Sequence, residues 1–126
     1  MKNAVIFLQK KIGYDFVDRQ LCAQALTHRS YGAVHNERLE FLGDAILDFL
    51  IAEMLYRNNP SATEGELSNM RAYLVRGEQL AKLGDTLQIG EWLLLGAGEE
   101  HAGGRQRSSL IANAVEAVIA AVYLDG

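Results

Sequence analysis

Residues 36–50, with the sequence NERLEFLGDAILDFL, combine two patterns that rarely occur together. Leucine, isoleucine and phenylalanine recur throughout, as in a helix that contributes to a hydrophobic core. Carboxylates recur at helical spacing in the same stretch and line one face: Glu37, Glu40, Asp44 and Asp48. One interpretation is a solvated helix edge. The other is a buried or nearly buried acidic face, which requires a partner because an uncompensated buried carboxylate is strongly unfavourable.

The composition is that of one globular domain. The chain has 126 residues, of which 49% are hydrophobic and 22% are charged, enough for one hydrophobic core. Its single cysteine, Cys22, excludes an internal disulfide, and its histidines are too few for a zinc cluster. No apolar run suggests a membrane span or a signal peptide, so we expect a soluble, cytoplasmic protein without a membrane partner. A net charge of −4 argues weakly against a nucleic-acid partner, unless the acids surround a cation.

Helical periodicity dominates the chain, and no alternating strand pattern is present. The predicted fold class is therefore all-α, with a single domain over residues 1–126. We predict helices over residues 4–11, from an Asp18 N-cap to about 27, over 37–57, from a Thr63 capping box, over 79–87, and from Ser108 or Ser109 to about 124.

Glycine residues predict where helices are interrupted or end. Gly77 is expected to interrupt the helix that follows Thr63, and Gly126 to end the last helix. Residues 97–104 are glycine-rich and polar, which predicts a mobile, functional loop.

The last predicted helix carries an isolated polar pair. Residues 110–122 (LIANAVEAVIAAV) are apolar almost all round, except that Asn113 and Glu116 share one face. If this helix packs against the helix of residues 37–57, these two side chains can converge with Glu40 and Asp44. Three carboxylates without a cation would repel one another and take up protons. Oxygen-only ligands favour a hard cation, for which Mg²⁺ is the natural choice.

Residues 36–44 (NERLEFLGD) resemble the signature of the ribonuclease III family, which cleaves double-stranded RNA. Three further blocks occur in the family's order: 25–30 (ALTHRS), 64–68 (EGELS) and 115–117 (VEA). The resemblance covers essentially the whole chain and is specifically to the N-terminal endonuclease domain of bacterial ribonuclease III. It implies an all-helical, magnesium-dependent domain, with Mn²⁺ as a substitute ion, that works as a symmetric homodimer.

The resemblance also implies the roles of the clustered residues. Glu40 and Glu116 match metal-binding glutamates, and Asp44 matches the acid that positions or activates the attacking water. The family commonly has aspartate where this chain has Asn113. The amide oxygen of Asn113 can still ligate Mg²⁺, but it makes the expected site less anionic.

Further residues match by position. Glu37 and Glu64 match secondary acids near the scissile phosphate, although Glu64 also suits a helix N-terminus. Phe41 matches an aromatic side chain that inserts into the partner subunit, with ordinary core packing as the alternative. Weaker candidates for RNA contacts are Ser68, Arg71, Arg105 and Arg107; an exposed arginine is more often solvated surface.

The expected function is hydrolysis of double-stranded RNA to 5′-phosphate and 3′-hydroxyl products, in the processing of ribosomal and messenger RNA precursors. Bacterial relatives continue into a double-stranded-RNA-binding domain that these residues do not include, so weak, salt-sensitive RNA binding is expected. Two alternatives stay open. One is an all-α, magnesium-dependent nucleotide pyrophosphatase; the other is a ribonuclease III-like dimerisation or RNA-binding scaffold without activity.

Overall fold

The fold is all-α, as the periodicity predicts. The computed structural model describes residues 2–126. In that range no strand forms, and Thr27 and Leu94 make an isolated parallel bridge. Two short 3₁₀ segments, Ile89–Trp92 and Gly104–Gln106, flank α6. The helices are α1 (Lys2–Ile12), α2 (Arg19–Ala25), α3 (Glu37–Asn58), α4 (Glu64–Leu74), α5 (Gly77–Thr86), α6 (Ala97–His101) and α7 (Ser108–Asp125).

Two of the predicted N-caps are confirmed. The Asp18 side chain accepts hydrogen bonds from the backbone N–H groups of Gln20 and Leu21, which starts α2. The Thr63 hydroxyl accepts from the Glu66 N–H at 3.2 Å, and the Glu66 carboxylate accepts from the Thr63 N–H at 2.9 Å. This reciprocal pair is a capping box, and it fixes the start of α4.

Three local predictions need correction. α7 begins at Ser108 itself, with Arg107 at the N-cap and no side-chain cap hydrogen bond. Gly77 is the first residue of α5 rather than the break before it, because α4 has already ended at Leu74. The segment predicted as a mobile loop instead forms α6 and the start of the second 3₁₀ segment.

α7 is the central helix of the core. It packs most extensively against α3, then against α5 and α2. Fully buried alanines, including Ala114 and Ala117, let these neighbours approach closely. Among the described helices α7 alone is long and apolar enough to span a membrane, but half of it is buried in the protein. Its packing identifies it as a core helix.

α3 contributes less to the core than its sequence suggests. Leu39, Gly43 and Leu55 are its only fully buried residues, whereas Phe41 is 80% exposed and Phe49 is 65% exposed. One face of α3 covers α7, and the apolar side chains of the opposite face remain in solvent. The prediction that α3 contributes to the hydrophobic core is therefore confirmed for one face of the helix only.

Candidate active site

The crossing of α3 over α7 brings the two predicted sets of acids together. Gly43 makes the crossing possible, because a Cβ atom there would collide with the backbone carbonyl of Glu116. Only glycine permits this approach of two helix backbones. Glu40 and Asp44 lie within one turn of Gly43 on α3, so the same contact places them beside Glu116.

Glu116 is buried among carboxylates. The Glu116 residue is only 8% exposed. Burial, followed by a hydrogen bond with Asp44 and then the charges of Asp44, Glu40 and Asp48, raises the pKa of Glu116 to about 8. In the absence of a cation, the Glu116 carboxyl therefore carries a proton at neutral pH.

The pKa of Glu40 is raised as well, for similar reasons. It is half-buried, and burial, followed by the charges of Glu37 and Asp44, raises its pKa above the ordinary value for glutamate. In the described part of the chain, none of the ion pairs involves Glu40, Asp44 or Glu116. The protein's own cations leave this cluster of three acids uncompensated.

The donor set fits a hard divalent cation. Its atoms are carboxylate oxygens, with an amide oxygen nearby, which are the ligands that Mg²⁺ prefers. No three His, Cys, Asp or Glu side chains within residues 2–126 are already spaced to hold a metal ion. Without a cation, burial and the neighbouring carboxylates favour the protonated form of Glu116. A bound cation would displace the proton and draw the oxygens together.

Asn113 lies next to this cluster. Half-buried and one turn before Glu116 on α7, it borders a pocket of about 270 Å³ that Glu37 and Glu40 also line. Glu37 is exposed and forms ion pairs with Arg29 at 3.6 Å and with His35 at 3.9 Å. The structure thus gathers five of the predicted site residues at one end of α3: Glu37, Glu40, Asp44, Asn113 and Glu116.

Asn36 anchors that end of α3, a role that the sequence analysis did not assign. The residue is buried, its Nδ2 donates to the Ala25 carbonyl oxygen at 3.1 Å, and its backbone N–H donates to the Thr27 oxygen at 2.9 Å. It makes no side-chain cap hydrogen bond. The partners of Asn36 lie at the end of α2 and just beyond it.

Glu64, Ser68 and Arg71 lie elsewhere. They line a groove of about 420 Å³ between α4 and the second half of α3, beside Phe49 and Tyr56. At the rise of an α-helix, this groove is roughly 15 Å along α3 from the acid cluster. Within a single chain, Glu64 therefore does not join the acids of α3 and α7.

Arg105 makes several hydrogen bonds within the protein fold. Its Nη1 donates to the carbonyl oxygens of Gly90, Glu91 and Leu93 at 3.1, 2.9 and 3.0 Å, and its other nitrogens bind Glu100. This geometry argues against Arg105 as an RNA contact, because all three of its guanidinium nitrogens already donate to partners within the fold. Arg107 is more exposed and pairs with Glu99 alone, at 3.0 Å.

Phe41 is exposed, so the alternative of ordinary core packing is wrong for this side chain. It lies on the opposite side of α3 from the buried residues Leu39 and Gly43. An aromatic ring this exposed on an apolar face is typical of an interface.

Comparison with known proteins identifies the family of the chain. A family model described as Ribonuclease-III-like matches residues 18–126. The chain is 54% identical over 125 residues to the Ribonuclease 3 proteins of Aliivibrio fischeri and of Pseudomonas aeruginosa strain LESB58. The match covers 99% of this chain and only 56% and 55% of those relatives, so the chain spans about half their length.

Two solved structures share the fold. Both are nuclease domains of ribonuclease III from Campylobacter jejuni, 40% identical to this chain, with TM-scores of 0.93 and 0.94. The alignments cover 95% and 100% of this chain and 85% and 86% of those chains. The first was described for structural flexibility in a region involved in dimer formation.

Proposed function

Because this chain belongs to the ribonuclease-III-like family, we propose that it is a magnesium-dependent endoribonuclease that hydrolyses double-stranded RNA. The observation that carries the proposal is the burial of Glu116 against Asp44 and Glu40, none of which forms an ion pair within residues 2–126. An acid cluster with no function would be expected to gain a basic partner or to be replaced, since it destabilises the fold at neutral pH.

Each acid has a distinct part in the proposed site. Glu40 and Glu116 hold the ion, with Asp44 and the Asn113 amide oxygen completing the protein's share of the ligands. When bound, Mg²⁺ lowers the pKa of water and stabilises charge on the phosphate and the leaving oxygen. Asp44, exposed at the edge of the cluster, orients the attacking water and receives its proton. The products are a 5′-phosphate and a 3′-hydroxyl.

Asn113 makes the site weaker without abolishing it. Its amide oxygen can bind a cation or a bound water, but it adds no negative charge. The carboxylates of Glu40, Asp44 and Glu116 remain available, which favours an active enzyme over the scaffold alternative. The family assignment likewise favours RNA over free nucleotides, and therefore argues against a nucleotide pyrophosphatase.

The working unit is proposed to be a symmetric homodimer. The exposed apolar face of α3, with Phe41 and Phe49, is the surface that a second copy would cover. Two sites related by a two-fold axis would cut the two strands of one duplex. Glu64, Ser68 and Arg71, distant from the acids within one chain, would then contact RNA from their own groove. Exposed Arg107 is a further, weaker candidate.

Recognition is proposed to depend on the shape of the duplex. A-form RNA exposes its backbone and 2′-hydroxyl groups more readily than its base edges. By family analogy, the substrates are precursors of ribosomal and messenger RNA, and the enzyme works in the cytoplasm.

A cleavage assay tests the proposal. Long, end-labelled duplex RNA is incubated at low salt with the unmodified chain, with Glu116→Gln and with Asn113→Asp, each with Mg²⁺, with Mn²⁺ or with chelator. We expect ion-dependent cutting to short duplexes with 5′-phosphates, a loss of at least about 100-fold in Glu116→Gln, and equal or faster cutting by Asn113→Asp.

An exposed acid provides the matched control. Asp85→Asn on α5 removes one exposed carboxylate that does not belong to the cluster and should cut at the unmodified rate. The proposal fails if chelator or Glu116→Gln leaves cutting unchanged, or if neither the unmodified chain nor Asn113→Asp cuts duplex RNA.

A further inference from the structure

A polar pocket of about 270 Å³ adjoins the acid cluster. It is bounded by His28 and Arg29, by the first turn of α3, and by Leu93 and Leu110. Glu40, a member of the cluster, and Asn113 also line the pocket. A group bound here would therefore be a close neighbour of the phosphate proposed to react.

The His28 ring is held in one tautomer. The backbone N–H of Ser30 donates to His28 Nδ1 at 3.1 Å, and the Ser30 Oγ lies 2.8 Å from the same nitrogen. Ser30 Oγ in turn accepts from the Gly96 N–H at 2.9 Å, which leaves the hydroxyl hydrogen for His28. A ring nitrogen that accepts from a backbone N–H carries no proton, so the proton is on Nε2. The free donor of His28 is Nε2–H.

The backbone around His28 is fixed as well. His28 N–H donates to the Leu94 oxygen at 3.0 Å, and Leu94 N–H donates to the Leu26 oxygen at 2.9 Å. Gly96 lies so close to Ser30 that a Cβ atom would collide with the Ser30 carbonyl. The Nε2–H donor is therefore preorganised before any ligand arrives.

The opposite side of the pocket provides acceptors. The carboxylates of Glu37 and Glu40 line it, together with the Asn113 amide. Arg29 is the only side chain of the lining that always carries a positive charge, and it is 69% exposed and paired with Glu37 at 3.6 Å. A phosphate in this pocket would meet two carboxylates and one partly neutralised cation. A neutral hydroxyl, which both accepts and donates a hydrogen bond, matches the lining better.

We propose that this pocket binds a ribose 2′-hydroxyl of the RNA. His28 Nε2–H donates to the 2′-oxygen, and a carboxylate of Glu37 or Glu40 accepts the hydroxyl hydrogen. The 2′-hydroxyl is the group by which a protein distinguishes RNA from DNA at a given position, so the pocket selects RNA beside the reacting phosphate. This inference rests on the proposed function and adds a specificity-determining residue, His28, to it.

The test measures binding rather than cutting. Duplexes carrying one 2′-deoxy substitution, moved nucleotide by nucleotide across the cleavage site, are bound to the unmodified chain with Ca²⁺ replacing Mg²⁺. At one position, removing the hydroxyl should weaken binding by about 3- to 10-fold, the usual range for one lost hydrogen bond. His28→Ala should weaken binding of the all-ribose duplex by a similar factor and should no longer respond to that substitution.

Two further variants separate hydrogen bonding from structure. His28→Gln places an amide N–H near the position of Nε2 and should recover part of both the affinity and the response to 2′-deoxy substitution. His101→Ala removes an exposed histidine at the end of α6 and should behave like the unmodified chain.

Three outcomes would overturn the proposed 2′-hydroxyl pocket. If the unmodified chain neither binds nor cuts the all-ribose duplex, the proposed function fails and this inference fails with it. If the chain cuts duplex RNA but no single 2′-deoxy position weakens binding, the pocket does not read a 2′-hydroxyl. An equal loss by His28→Ala on all duplexes, with the 2′-deoxy response retained, also overturns the inference.

Discussion

Burial of Glu116 beside Asp44 means that one carboxyl of the cluster is protonated near neutral pH unless a cation is bound. The isolated polar pair in an otherwise apolar α7, Asn113 and Glu116, was sufficient to predict this position, because an amphipathic edge needs more polar residues. The anchoring of Asn36 and the fixed tautomer of His28 were not predictable from sequence. Asn36 donates to the Ala25 carbonyl oxygen, and the Ser30 hydroxyl beside His28 accepts from the Gly96 N–H; both contacts are identified only once the chain has folded.

The raised pKa of Glu116 makes stability depend on pH. The native state holds a proton that the unfolded chain releases above about pH 4.5, so stability falls as the pH rises towards about 8. Glu116→Gln has no proton to lose. In chelator, it should match the unmodified chain near pH 4.5 and exceed it by roughly 1–3 kcal/mol at pH 8, measured by urea unfolding.

The exposed substitution Asp85→Asn serves as the control for that comparison and should leave the pH profile parallel to that of the unmodified chain. Equal stability of Glu116→Gln and the unmodified chain at pH 8 would show that Glu116 is not held against the other acids.

At the scale of elements, caps and long helices were predictable because their signals are local. Asp18 and Thr63 bind backbone groups within three residues of themselves. The segment that contains α6 was predicted to be a mobile loop because its sequence is rich in glycine and polar residues. The hydrogen bonds that hold it in place cannot be recognised from the sequence. Arg105 donates these bonds, and its carbonyl partners are 12 to 15 residues earlier in the chain.

Arg105→Lys should loosen this segment. A lysine keeps the charge but cannot serve three carbonyl oxygens and Glu100 at once. We expect a loss of roughly 1–3 kcal/mol and faster amide exchange over residues 97–107. Arg107→Lys, with one exposed ion pair, should cost less than about 1 kcal/mol. Equal costs for the two substitutions would contradict the role given to Arg105.

At the scale of the whole molecule, the apolar sequence of α3 predicted a core helix, and the structure places only one of its faces in the core. Sequence periodicity identifies apolar side chains, but it does not say whether they are covered by the same chain or by another. The exposed face with Phe41 and Phe49 is more consistent with coverage by another chain, because such rings are rarely left in solvent.

Phe41→Ser should therefore weaken the proposed homodimer. In sedimentation experiments over a concentration series, we expect the unmodified chain to be dimeric and the variant to dissociate at concentrations at least about 10-fold higher. Val17→Ser removes another exposed apolar side chain, 89% exposed and outside α3, and should leave the dimer intact. A monomeric unmodified chain, or equal effects of the two substitutions, would exclude this face of α3 as the interface.

If the acids of α3 and α7 form a site for a divalent cation, the ion should stabilise the fold. This stabilisation is measured from the thermal midpoint at pH 8, with Mg²⁺ and with chelator, for the unmodified chain and for Glu116→Gln. With Mg²⁺ well above its dissociation constant, we expect a stabilisation of about 1–3 kcal/mol for the unmodified chain and little or none for the variant. The same shift in both proteins, or no shift in the unmodified chain, would contradict the proposed cation site.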